Sequence, residues 1–183
     1  MRVVPTAIPD VKIVELDVFE DLRGQFFERF NERKFAELGM PTRFVQDNQS
    51  YSRANVLRGL HYQLNRPQGK LVQCTRGSAW DVAVDVRAGS PTFRKWVGVE
   101  LSESRRQLFW IPPGFAHGFC VLGAEAELQY KCTDFFDATD DRGIAWDDPE
   151  LAIRWPVREP ILSDKDRALP LLADAQLPRF QPQ

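Results

Sequence analysis

The sequence predicts an all-β fold, an antiparallel barrel or sandwich of jelly-roll type with a few short helices. Two facts of composition and one pattern point there. Aromatic residues are abundant, with 13 Phe, 5 Trp and 3 Tyr, and bulky aromatic side chains suit the half-buried surface of a strand. Thirteen Pro and 11 Gly punctuate the chain, which implies short elements separated by turns. The pattern is a series of runs with period-two alternation, the spacing that places every second side chain on one face of a strand. With 183 residues, one domain spanning 1–183 is expected.

Taken in order, strand-like runs begin at Ile13–Phe19 and Gly24–Phe30. A helix follows: Asn31 can cap it, Glu32 lies in its first turn, Phe35 and Leu38 share a face, and Gly39 with Pro41 stops it. Strands resume at Phe44–Tyr51, Val56–Gln63 and Lys70–Arg76. In Ala79–Arg87, Trp80, Val82, Val84 and Val86 point one way, and Asp81, Ala83, Asp85 and Arg87 the other. Arg94–Leu101 and Gln107–Ile111 are strands, and Trp110–Phe119 reads as strand, turn and strand. In Glu125–Thr133, Ala126, Leu128, Tyr130 and Cys132 share the face expected to be buried. Ser163 can cap a second short helix that Pro170 limits. The segment from Leu177, with Pro178 and Pro182, is expected to be loosely ordered. Closing such a sheet removes its edges and leaves a tapered interior able to hold one small ligand.

Charge and motif content exclude several classes of function. Lys and Arg number 24 against 26 Asp and Glu, a net charge of −2, so no broad basic surface awaits nucleic acid or an anionic membrane. Pro5, Pro9 and Asp10 interrupt any signal-peptide core. The uncharged stretch from Gln107 to Ala124 is broken by Pro112, Pro113, Gly114 and His117, so it reads as strands and a turn rather than a membrane span. Only two histidines exist, His61 and His117. A three-His metal site is impossible, and a two-His-one-carboxylate site lacks supporting spacing, so no metal is expected. Cys74, Cys120 and Cys132 form no C-x-x-C and are odd in number, which reads as reduced structural thiols in a cytoplasmic protein. No G-x-S-x-G, Walker A or G-x-G-x-x-G motif occurs. Acid–base chemistry without a cofactor is what remains.

The residues able to carry such chemistry are few. Val56-Leu-Arg-Gly-Leu-His-Tyr-Gln63 places Arg58, Gly59 and His61 in one strand, and Gly59 suggests a bulge or a close backbone approach. A bulge would turn Arg58 and His61 to the same interior face; the plainer reading is an exposed arginine and a hydrogen-bonded core histidine. Lys70 either snorkels to solvent or points inward to meet an anionic oxygen. His117, between Ala116 and Gly118, either approaches a ligand or bonds to backbone. Tyr130 is either core or a general acid. Asp164 and Asp166 either begin a helix or orient a distant histidine.

In order along the chain, Asp21-Leu-Arg-Gly-Gln-Phe-Phe-Glu28, Gln46-Asp-Asn-Gln-Ser50, Leu57-Arg-Gly-Leu-His-Tyr-Gln63, Gln68-Gly-Lys-Leu-Val-Gln73, Asp81-Val-Ala-Val-Asp85, Ser90-Pro-Thr-Phe93, Trp110-Ile-Pro-Pro-Gly-Phe-Ala-His-Gly-Phe119, Tyr130-Lys-Cys-Thr-Asp134 and Leu162-Ser-Asp-Lys-Asp166 resemble the dTDP-4-dehydrorhamnose 3,5-epimerase family. The resemblance implies a cupin-type jelly roll, a homodimer, no metal or other cofactor, and a nucleotide-linked 4-keto-6-deoxyhexose as substrate. It implies that His61 is the base, Asp166 its orienting partner, Tyr130 the acid on the opposite face of the sugar, and Lys70 the group facing the C4 oxygen. It places Arg58 and His117 at active-site positions and Gln46, Asn48 and Gln73 along the ligand. Arg23 and Glu28 match residues that reach the nucleotide from the neighbouring subunit. One departure stands out: Phe135 and Phe136 occupy positions where the family usually has tyrosines.

Overall fold

The protein is described by a computed structural model covering residues 1–180; Pro182 lies outside these. The strands are β1 (Arg2–Pro5), β2 (Lys12–Glu15), β3 (Val18–Asp21), β4 (Gly24–Phe27), β5 (Gln46–Arg53), β6 (Leu57–Gln63), β7 (Lys70–Asp85), β8 (Trp96–Ser102), β9 (Gln107–Ile111), β10 (Phe115–Cys132) and β11 (Asp141–Gly143). Two short helices, α1 (Glu32–Glu37) and α2 (Asp164–Arg167), begin at the caps the sequence marks. Asn31 Oδ1 accepts from the Lys34 N–H, and Ser163 Oγ accepts from the Asp166 N–H.

The architecture turns on β7 and β10, which pair antiparallel along nearly their whole length and serve two sheets. One end of the ladder is flanked by β9 and β5, with β2 and β1 continuing beyond β9. The other end is flanked by β8 and β6, with β11 beyond β6. The ladder loses register between Val121 and Ala126, and there the strands turn from one sheet into the other. Val72, Cys74, Phe109 and Leu128 from the first sheet meet Ala83, Val99, Leu101, Phe115 and Phe119 from the second in one buried core. This is a jelly-roll sandwich, as the sequence predicts.

The sequence reads β7 and β10 each as two runs, because the apolar rhythm falters at the bends. It also joins β2 to β3, and it misses β1 and β11, which are too short for periodicity to register. The outer faces are covered too. Val82, Val84 and Val86 pack outward against Ile144, Leu151 and Leu172, while Asp81, Ala83 and Asp85 face the interior. On the other sheet, Leu71, Leu108 and Trp110 lie against Phe35 of α1 and Met40.

Within the described residues, the stretch 177–180 departs from expectation. Ala88 N–H donates to the Pro178 carbonyl, Phe180 N–H donates to the Ala88 carbonyl, and the Arg87 guanidinium lies over the Phe180 ring. Backbone pairing ties residues 177–180 down despite Pro178. The three cysteines are buried and free. No helix among the described residues is long and apolar enough to cross a membrane.

Candidate active site

A bulge in β6 prepares the site. His61 pairs with His117 and Arg58 with Phe119, so β6 carries one residue more than the β10 stretch it faces. Gly59 permits this: its φ is +117°, and a Cβ there would lie 2.5 Å from Gly118 Cα. The extra residue restores parity and turns Arg58 and His61 to the same face. Only His61 reaches the interior cleft. Arg58 is exposed at its edge, where Nε donates to Ser52 Oγ at 3.0 Å and Nη2 to the Tyr51 carbonyl at 3.2 Å.

His61 Nε2 lies 2.6 Å from Asp166 Oδ1, across 105 residues of sequence. A carboxylate accepts, so the proton sits on Nε2 and the lone pair on Nδ1. Burial pushes the Asp166 carboxyl up, but the His61 hydrogen bond and charge, together with Ser163 and Lys165, outweigh it. The group is held below its ordinary value and is ionised at neutral pH.

Lys70 and Tyr130 enter the same cleft from neighbouring strands, since Lys70 pairs with Cys132 and Val72 with Tyr130. Lys131 and Lys165 are paired with Asp47 and Asp141; Lys70 has no ion-pair partner among the described residues. Enclosure pushes its pKa down, against the opposing fields of Cys132, Asp141 and Asp81. Burial likewise pushes the Tyr130 phenol up, reinforced by Cys132 and opposed by Arg58. The Tyr130 hydroxyl has no hydrogen-bond partner among the described residues and faces a cleft of about 290 Å³. His61, Lys70, Gln46, Asn48, Gln63, Gln68, Phe136 and Asp141 line that cleft with it.

Not every expected residue gathers here. His117 is buried behind the cleft, its ring edge-on to Tyr130 and its Nε2 bonded to Asp81. Gln73 does not line the cleft: three residues from Lys70, it falls on the opposite face of β7, in an adjoining groove with Phe27, Arg29 and Gln129 that shares Asn48 and Tyr130 with the cleft. Arg23 projects from the β3–β4 turn, 90% exposed and paired, among the described residues, with Asp21 alone. Glu28 is held by Lys34 and Asn31.

Conversely, Gln63, Gln68 and Asp141 line the cleft without having been singled out. The two glutamines stand inside runs already read as strand and turn. Asp141 sits in β11, too short to announce itself. Phe136, noted as a departure, is at the cleft, its N–H donating to Gln46 Oε1 at 2.8 Å. Among the described residues no group of three His, Cys, Asp or Glu side chains is arranged to hold a metal ion.

A jelly roll whose interior holds a carboxylate-bound imidazole, an unpaired ammonium and an unbonded phenol is built for proton transfer at a carbon beside a carbonyl, the work of an isomerase. Comparison with known proteins agrees. The family model for dTDP-4-dehydrorhamnose 3,5-epimerase matches residues 5–174. A dTDP-4-dehydrorhamnose 3,5-epimerase of Shigella flexneri is 56% identical, covering 91% of this chain and 93% of its own. A Streptomyces niveus relative named dTDP-4-dehydrorhamnose 3-epimerase is 39% identical over 96% of this chain and 86% of its own. A dTDP-6-deoxy-D-glucose-3,5-epimerase from Legionella pneumophila, solved in complex with dTDP-4-keto-L-rhamnose, superposes with a TM-score of 0.95 at 49% identity, covering 99% of both chains. The chain belongs to the dTDP-4-dehydrorhamnose 3,5-epimerase family, and it is a carbohydrate epimerase.

Proposed function

We propose that the chain, working as one domain over 1–183, inverts C3 and C5 of a dTDP-4-keto-6-deoxyhexose and yields dTDP-4-dehydro-L-rhamnose for deoxysugar synthesis. The observation that carries this reading is the 2.6 Å His61–Asp166 contact opening onto the same cleft as Lys70 and Tyr130. Both carbons flank the C4 ketone, so loss of either proton gives an enolate and needs no redox cofactor. His61 Nδ1 takes the proton, and Asp166 stabilises the imidazolium. Lys70 stabilises the charge that moves onto the C4 oxygen. Tyr130 then returns a proton to the opposite face, which inverts the carbon; the phenolate is reprotonated from solvent and His61 releases its proton. Gln46 and Asn48 orient the bound sugar nucleotide, and Arg58 and His117 complete the surround. The 3,5 outcome is favoured over a single-centre outcome by the higher identity to the 3,5-epimerase of Shigella flexneri than to the 3-epimerase of Streptomyces niveus.

The test is proton NMR of dTDP-4-keto-6-deoxyglucose in deuterated water, which reads exchange and product configuration at each carbon. His61→Asn should slow exchange at both carbons by about 100- to 10,000-fold while ligand binding persists; near-normal exchange would refute the base. Tyr130→Phe should retain exchange, reprotonated from the His61 side, with little inverted product. Exchange at one carbon alone in the unaltered enzyme would reduce the activity to a single centre.

The same reading includes a homodimer in the cytoplasm. Its support is the β3–β4 hairpin, which exposes Phe19, Leu22 and Phe26 and carries Arg23 away from the chain's own cleft. Three buried free thiols suit a reducing compartment. Arg23 and Glu28 then serve a nucleotide bound by the neighbouring copy, Arg23 as cation for the diphosphate. Light scattering should give the mass of two chains, and Arg23→Ala should raise KM with little change in kcat. A monomer of full activity would overturn it.

A further inference from the structure

The second histidine also carries a carboxylate, and nothing in the reaction just described uses that carboxylate. Asp81 lies on the inward face of β7, fully buried. Its Oδ1 accepts from His117 Nε2 at 2.8 Å. Its Oδ2 is buried with no hydrogen-bond partner among the described residues, on the inward face that Asp81 shares with Ala83 and opposite Phe119. A carboxylate oxygen left unpaired in an apolar core is a burden that an apolar side chain would avoid, and such groups call for an explanation beyond packing.

Its place relative to the cleft supplies one. His117 pairs across the ladder with His61, and its ring meets Tyr130 edge-on, with centroids 6.5 Å apart. Thirteen residues separate His117 from Tyr130 on the same strand, which would be roughly 40 Å if β10 ran straight; the bend at Val121–Ala126 folds it back to bring them together. Among the described residues nothing hydrogen-bonds the Tyr130 hydroxyl to hold it. Its direction is set by what its ring leans on, and one such support is His117.

We infer that Asp81 is a positioning residue for proton delivery: it fixes the His117 ring through Nε2, and that ring holds Tyr130 at the angle from which its proton reaches the sugar. A carboxylate can only accept this bond, so His117 is locked in one tautomer and one ring orientation. Asparagine in its place can offer either an oxygen or an N–H, and the lock is lost.

This inference rests on Tyr130 being the acid, so Asp81→Asn and Tyr130→Phe are assayed together by the same NMR measurement in deuterated water. Asp81→Asn should lower inversion by about 10- to 100-fold, the scale of a small misplacement of a reacting group. Exchange driven by His61 should stay within about threefold, and KM should hold. A merely structural role would depress exchange and inversion in proportion; that result, or no change in either, overturns the inference. If Tyr130→Phe inverts substrate normally, the acid assignment has failed. If Tyr130→Phe loses inversion and Asp81→Asn keeps it, this inference alone has failed. Should Asp81→Asn not fold, the double variant Asp81→Leu with His117→Phe removes both polar partners and leaves no orphan. It should show the same fall in the ratio of inversion to exchange, and an unchanged ratio overturns the proposal.

Discussion

At the scale of single residues, the cleft separates two groups that would otherwise titrate together. A free lysine and a free tyrosine lose their protons near pH 10. Here enclosure pushes Lys70 down and burial pushes Tyr130 up, a divergence that suits a charged stabiliser beside a neutral acid. The sign of the resulting pH effect is fixed. In the proposed mechanism Lys70 must be charged to meet the enolate oxygen, so activity should fall as pH rises through its lowered value. The alkaline limb of kcat/KM should therefore lie below about 10.4. Lys70→Gln should remove that limb and cost about 100- to 1,000-fold in kcat; a limb unmoved in Lys70→Gln would assign it elsewhere. The inward face of Tyr130 was legible in the alternation of its run and that of His61 in the bulge at Gly59, whereas Lys70 was left between solvent and interior and the roles of all three came from the family resemblance. Gln73 lines an adjoining groove and not the cleft itself, because three residues from Lys70 is an odd offset along a strand.

At the scale of elements, the bend in the β7–β10 ladder decides where the site lies. Gly77 sits at that bend with φ +68°. A Cβ there would lie 2.0 Å from the Glu125 carbonyl oxygen, a backbone atom that cannot swing aside. Gly77→Ala should destabilise the fold by about 3 kcal/mol, combining left-handed strain with the clash. It should appear as a lower urea midpoint with unchanged slope. Gly123→Ala nearby, whose nearest atom would be Ser78 Oγ at 3.9 Å, should stay within about 0.5 kcal/mol. Equal effects would remove the bend as the cause. The helices were legible at their caps, since Asn31 and Ser163 act on their own local backbone. The bend was not, because Gly77 and Gly123 read alike in sequence and differ only in what each approaches.

At the scale of the molecule, one largely enclosed arginine joins distant segments. Arg87 bonds Asp85 and Asp10, and lies over the rings of Phe115 and Phe180. Burial pushes the Asp85 carboxyl up, yet its bonds from Arg87, Ser90 and Thr92 prevail, and it is held below its ordinary value. Asp166 is lowered as well. A carboxyl with a lower pKa folded than unfolded adds stability that is complete above the unfolded value, near 3.9, and is lost as pH falls through the folded one. The urea midpoint should thus hold near neutral pH and drop below about pH 4. Asp85→Asn should be less stable at pH 7 and lose less on acidification; a variant with the unaltered acid slope would exclude Asp85 as a source.

What the sequence by itself determined is local: strand alternation, helix caps, the bulge at Gly59, and the residue types that acid–base chemistry requires. Each depends on neighbours a few positions away, so it can be read from the chain alone. Only the tertiary structure decided that Asp166 meets His61 across 105 residues, that Asp81 rather than Val82 faces the interior, and that His117 meets Tyr130 after the strand turns back. In a two-sided sandwich both faces of a central strand are covered, so apolar content no longer marks the inside. Which face becomes the interior then depends on how the ladder bends and on what packs against its back.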